Sequence, residues 1–203
     1  MTDALHRSLA AAVARTRGSG GAPPAVARRA AVALLLRGGS IEDLEVLLMR
    51  RAARAGDRWS GQIGLPGGHE EASDPDLEAT ARREAVEEVG LDPGDDLARP
   101  FGSLPTFQAL ARGERVDLTI TPFVFHHPAP PRPVLGPEAS EAFWLPLAPA
   151  LAGELDEPFR YERGEVVHRL PSWRFEGRTI WGMTHGILSR FGDALRAAEP
   201  GGE

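Results

Sequence analysis

Glu84, Glu87 and Glu88 fall at i, i+3 and i+4 of a segment in which Leu77, Thr80, Ala81, Ala85 and Val89 recur at helical spacing. An α-helix brings those three carboxylates to one face, a few ångströms apart. Like charges so close repel, which destabilises the helix unless a cation sits among them. Oxygen donors at that density suit Mg²⁺ or Mn²⁺, hard ions that take a few carboxylates and keep water or substrate phosphate for the rest. Upstream, Gly67-Gly68 lets backbone groups approach a metal or anion closely, because no Cβ intervenes. Three Glu on a helix are by themselves more often a solvated face, so the string around them has to decide.

Composition narrows the chemistry further. Of 203 residues 23 are basic and all of those are Arg; the chain has no Lys, no Asn and no Cys. Without Lys there is no Schiff-base enzyme, no P-loop of the G-x-x-x-x-G-K-[ST] kind and no kinase-type site. Without Cys there is no disulfide framework, thiolate metal site or thiol nucleophile. Carboxylates, His, hydroxyls, Arg and hard metals are what survives. The net charge of −6 argues against a nucleic-acid backbone as partner. It is unevenly spread: residues 69–96 hold eleven acids and two arginines, a local −9 within a chain whose remainder is mildly cationic.

Patterning supplies the elements that must position these groups. Leu5, Leu9, Ala12 and Val13 recur at helical spacing, so residues 1–24 read as an N-terminal helix followed by a flexible Gly/Pro linker at 18–24. Residues 25–198 read as a single domain, and 199–203 as a disordered tail. Aliphatic runs at 30–36 and 44–48, joined by Arg37-Gly38-Gly39-Ser40, predict a hairpin or adjacent strands. Leu65-Pro66-Gly67-Gly68 is expected to break regular structure. The acidic helix is predicted over 76–89, with Asp74-Pro75 as N-cap and first-turn proline and Gly90 as its stop. Further strands are expected at 99–107, 115–125 and 142–145, a late pair at 166–170 and 172–175, and a last helix over 180–196. Strands on both sides of a central helix predict an α/β fold of the α+β type, a mixed sheet covered by helices. No apolar run nears a membrane span of about 18–20 residues, and the N-terminus lacks a secretory pattern, which predicts a cytoplasmic protein with no membrane partner.

Gly68-His69-Glu70-Glu71-Ala72-Ser73-Asp74, continued by Arg83-Glu84-Ala85-Val86-Glu87-Glu88-Val89-Gly90-Leu91, resembles the Nudix box, G-x5-E-x7-R-E-U-x-E-E-x-G-U with U bulky and aliphatic. The second half matches at each fixed position, with Ala85 as a small U. The first half departs: Asp74 stands where the motif has Glu, and eight residues rather than seven separate it from Arg83. Asp74, Asp76 and Glu71 are thus all candidates for the acid that braces the loop, and Arg83 and Asp74 take structural roles. The resemblance implies an α/β/α sandwich and hydrolysis of a diphosphate linkage in a nucleoside diphosphate derivative. It implies Mg²⁺ or Mn²⁺ held by Glu84 and Glu88, with Glu87 supporting and the Gly67 carbonyl contributing. Glu84 or Glu87 is the first choice of general base; an acid in a distant loop, such as Glu138 or Glu141, is the alternative. Many such proteins dimerise, so a homodimer is also expected. Because all three Glu are kept, a catalytically silent sensor is the lesser reading.

Segments outside the box are similar to the coenzyme A pyrophosphatase branch of that family. Leu47-Leu48-Met49-Arg50-Arg51-Ala52 resembles its L-L-T-x-R-S, and the run Gly61 through Gly68 resembles its G-x-x-x-F-P-G-G, with Met49, Ala52 and Leu65 as departures and the preceding arginine displaced to Arg58. Coenzyme A or its thioesters, cleaved to 3′,5′-ADP and 4′-phosphopantetheine, is the expected substrate; ADP-ribose, a dinucleotide or a nucleoside triphosphate is the alternative. Arg50, Arg51 and Arg58 are candidate phosphate contacts, since an Arg fork fits phosphate oxygens in pairs. Gly68 and His69 complete the candidate substrate site. His126-His127 is discounted as a metal pair, because adjacent strand residues face opposite ways.

Overall fold

β1 (Arg29–Arg37) is aliphatic along most of its length because both of its faces are covered. Ala31, Ala33 and Leu35 pack toward α2 (Leu77–Val89), whereas Leu34 and Leu36 pack with α1 (Thr2–Arg17) and α4 (Gly182–Ala198). These relations come from a computed structural model that describes residues 2–17, 28–54, 56, 59–111, 114–163 and 166–198. Helices on both faces of one sheet give the α/β/α sandwich expected from the sequence.

The sheet is mixed. β7 (Glu114–His126) runs parallel to β1 from Arg29↔Thr119 to Leu36↔His126. β2 (Glu45–Arg51) is antiparallel to β1, β8 (Ala139–Pro146) is antiparallel to β2, and β5 (Arg99–Ser103) and β6 (Phe107–Ala111) are antiparallel to β7. The strand expected over 99–107 is thus two: Pro105 between them has no N–H to give a ladder.

β1 and β2 pair at Leu36↔Val46 and Arg37↔Glu45, beyond which other strands enter the ladder. β4 (Gly67–His69) joins β1 at Ala30↔His69, Ala31↔Gly68 and Val32↔Gly67, and β3 (Ile63–Gly64) joins β2 at Met49↔Gly64 and Arg50↔Ile63. The predicted break holds at Leu65-Pro66, which separate β3 from β4, but Gly67 and Gly68 are part of the sheet. Gly67 is required there: a Cβ would overlap the β1 backbone at Ala31 and Val32.

The C-terminal third differs from expectation in its pairing. β10 (Val166–Leu170) pairs with β9 (Phe159–Arg163), and β11 (Ser172–Phe175) pairs with β12 (Arg178–Trp181), so the two late strands are not partners of each other. Ile180 and Trp181 are held in β12, which delays the last helix to Gly182. α3 (Leu147–Leu151) is a short helix that the sequence reading did not contain. α1 buries Leu5, Leu9, Ala12 and Val13 in the same cluster as α4 and the sheet. The predicted linker at 18–24 and the tail at 199–203 lie outside the described residues. Among the described residues no helix is long and apolar enough to cross a membrane.

Candidate active site

α2 starts where Asp76, in extended backbone, accepts the Ala79 N–H at 2.8 Å, and it stops at Gly90 in the left-handed conformation. The expected Asp74-Pro75 cap is therefore corrected by two residues, to Asp76, and Asp74 is freed for another task. Between these ends α2 buries Ala81, Ala85, Glu88 and Val89 against the sheet. Glu88 rides on that apolar stripe with a side chain 2% exposed; Glu84, one turn earlier, is 14% exposed, and Glu87 is 56% exposed. The three carboxylates share a face, but Glu88 and Glu84 turn inward and Glu87 faces water.

Glu88 Oε2 accepts the Gly67 N–H at 2.8 Å, while its Oε1 is buried with no hydrogen-bond donor among the described residues. Burial pushes this carboxyl up to about 7, against the opposing pull of the Gly67 amide and Arg51. Glu84 lies against Gly68 so closely that a Cβ on the glycine would overlap its carboxylate, and burial raises its pKa as well. An unmatched buried carboxylate oxygen costs about 1–3 kcal/mol or more, so the site as folded is suited to a cation. Among the described residues no three His, Asp or Glu side chains converge on a common point. Two carboxylates one turn apart match an ion that keeps most of its shell for water and phosphate.

Arg83 organises the loop ahead of the helix. Its Nε and Nη2 grip Asp74 at 3.1 and 3.0 Å, Nη2 also donates to the His69 carbonyl at 3.0 Å, and Nη1 reaches Glu84 at 3.0 Å and Glu87 at 3.1 Å. Asp74 further accepts the Glu71 N–H and the Thr80 hydroxyl, both at 2.9 Å. The Arg83 guanidinium and these donors hold its carboxyl well below the usual range. Of the three acids left open by the sequence, Asp74 braces the loop, Asp76 caps the helix, and Glu71 stands 61% exposed at 3.7 Å from Arg83. Thr80, read from periodicity as merely inward, is a bonded part of the brace.

The arginines divide. Arg51 faces α2, 3.6 Å from Glu88 Oε1 and 3.9 Å from Glu138 Oε2. Arg50, its neighbour on β2, projects to the other face, where it donates to Glu141 at 3.1 Å and to the Gly61 carbonyl at 3.3 Å. This alternation separates the two candidate phosphate contacts: Arg51 is on the Glu84/Glu88 face and Arg50 is not. Glu141 is held below the usual carboxylate range between Arg178 and Arg50, away from the acidic helix, whereas Glu138 pairs with Arg54 at 3.0 Å and its charge is felt at Glu84 and Glu88. The His69 imidazole is lowered by burial and by the charges of Arg28 and Arg51. Arg58 lies outside the described residues.

A model of the NUDIX domain matches residues 27–170. The chain belongs to the Nudix family. Relatives agree: this Nudix protein is 32% identical over 146 residues to a protein named Nudix hydrolase NudL of Citrobacter koseri, itself uncharacterized, covering 70% of this chain and 71% of that one. It is 35% identical over 141 residues to the peroxisomal coenzyme A diphosphatase ndx-8 of Caenorhabditis elegans, covering 68% of this chain and 57% of the relative. The chain spans about half the length of several curated relatives it matches. Among solved structures, a MutT/nudix family protein from Enterococcus faecalis superposes with a TM-score of 0.53 at 16% identity, over 97% of this chain and 75% of that one, which shows the shared fold.

Proposed function

We propose that this Nudix protein hydrolyses the diphosphate linkage of a nucleoside diphosphate derivative, and that coenzyme A or a coenzyme A thioester is that substrate. The observation that carries the reaction class is the unmatched Glu88 Oε1, buried beside Glu84 and the Gly67-Gly68 strand. Glu84 and Glu88 would hold Mg²⁺ or Mn²⁺ there, with Glu87 and the Gly67 carbonyl as further donors. When bound, such an ion offsets the charge of the diphosphate and supplies Lewis acidity at phosphorus. Glu84, largely buried and with its pKa raised by that burial, accepts the proton of the attacking water; Glu87 is the second choice. Gly68 and His69 line the approach, and the Arg51 fork offers paired donors to phosphate oxygens.

Similarity to a relative named as a coenzyme A diphosphatase supports the substrate, together with the L-L-x-x-R and P-G-G segments of the sequence. Purified protein with Mg²⁺ or Mn²⁺, offered coenzyme A, ADP-ribose, NADH, dinucleotides and nucleoside triphosphates, tests it. The expected outcome is release of 3′,5′-ADP and 4′-phosphopantetheine with the highest kcat/KM for coenzyme A. Turnover of coenzyme A no better than of the triphosphates sinks the substrate assignment. A cytoplasmic location and a homodimer belong to the same reading; fluorescent tagging and light scattering on the purified chain test them.

A further inference from the structure

Glu88 Oε1 is buried and without a hydrogen-bond donor among the described residues, and the guanidinium facing it stops at 3.6 Å, beyond hydrogen-bond reach. Arg51 thus offsets the charge of Glu88 and leaves the lone pairs of Oε1 open. Its second arm, Nη2, lies 3.9 Å from Glu138, and Glu138 is already paired with Arg54 at 3.0 Å. Arg51 therefore has an alternative carboxylate to lean on if Glu88 is taken from it. A guanidinium stays charged at any working pH, so a divalent ion and Arg51 at the same carboxylate repel one another. We propose that Arg51 stands in for the cation at Glu88 in the unloaded protein, yields Oε1 when the cation binds, and turns its freed donors to the diphosphate. The inference rests on the reading of Glu84 and Glu88 as cation ligands. It makes Arg51 a charge-exchange residue: it lowers affinity for the ion alone and raises affinity for the ion together with substrate.

Mn²⁺ binding by the full chain without nucleotide, followed by calorimetry or by the resonance of free Mn²⁺, is the test, on wild type, Arg51→Met, Arg51→Lys and Glu88→Gln. Removing a unit charge a few ångströms from the ion should tighten Mn²⁺ binding in Arg51→Met about fivefold. Arg51→Lys, which keeps the charge, should stay near wild type. With coenzyme A the Arg51→Met change should appear in KM more than in kcat. Unchanged or weaker Mn²⁺ binding in Arg51→Met, beside loss of binding in Glu88→Gln, overturns the exchange and leaves the cation site standing. Mn²⁺ binding that is absent from wild type, or undiminished in Glu88→Gln, overturns both. If Arg51→Met does not fold, wild type carries the test through labelling of Arg51 by an arginine-specific dicarbonyl, read by peptide mass. Mn²⁺ should raise that labelling, and labelling unmoved by Mn²⁺ overturns the exchange.

Discussion

At the scale of single residues, Glu88 shows how a site can oppose the stability of the fold that holds it. A carboxylate 2% exposed, with one oxygen unmatched, is costly to the fold, and the burial that pushes its pKa up to about 7 expresses the same cost. Glu88→Gln removes the charge and keeps the shape. We expect it to cut kcat by several powers of ten while the unloaded protein melts no lower than wild type. Near wild-type turnover would mean that the cation face is misassigned; a large drop in melting temperature would mean that Glu88 is structural. Sequence spacing was enough to place Glu84, Glu87 and Glu88 on one face. It could not divide them, because periodicity locates a face and not its edge; burial of 2% against 56% does that. The rival acids Asp74, Asp76 and Glu71 stayed equivalent for a similar reason. In an irregular loop, spacing does not fix direction, and the fork of Arg83 chooses among them.

At the scale of elements, α2 is held at its start by two separate acids. Asp76 caps the helix, a contribution of about 1 kcal/mol. Asp74 ties the preceding loop to Arg83 and Thr80 in the second turn. Its carboxyl is held below the ordinary range, so its contribution is present above the usual carboxylate pKa near 3.9 and is lost as pH falls through the lowered folded value. Asp74→Asn should therefore lower stability at pH 7 and flatten the acid limb of a denaturant series run from pH 5 to 2. An acid limb as steep as wild type would show that Arg83 is not what holds this carboxylate. The same mutant should lose activity, since Arg83 also carries the His69 carbonyl, Glu84 and Glu87. The helix was legible from its stripe and from Gly90. β3 and β4 were not, because strands of two and three residues carry no periodic signal. They exist through the pairings with β1 and β2, which are long-range contacts. The amphipathic pattern of α1 was equally plain, but the pattern does not say what the apolar face meets.

At the scale of the whole molecule, α1 is joined to the far end of the sheet by a chain of hydrogen bonds whose direction can be worked out. The Gly38 carbonyl can only accept, so His126 Nε2, 2.8 Å away, carries a proton and its Nδ1 accepts. His6 Nε2, at 3.2 Å from that Nδ1, then donates, and His6 Nδ1 accepts from Arg99 Nη1 at 3.2 Å. Both imidazoles are neutral in this arrangement, and a proton added to either sets two donors face to face. The charges around them are Asp3 and Arg99 at His6, and His127 and Asp43 at His126. Burial lowers both histidines, with His126 and Arg99 adding to the effect at His6. A histidine lowered in the folded state stabilises fully above its unfolded value near 6.5, and that contribution is lost as pH falls from there through the lowered value. Leu5 and Leu9, at about 1.5–3 kcal/mol each for full burial, keep α1 docked without the histidines, so acid should weaken the join rather than release the helix. His6→Phe keeps a ring beside Phe101 and leaves His126 Nδ1 without its donor. Its melting temperature should fall below that of wild type most at pH 8, and the gap should close toward pH 5, where wild type has lost the same bond. A gap that does not change with pH would show that His6 contributes by packing alone.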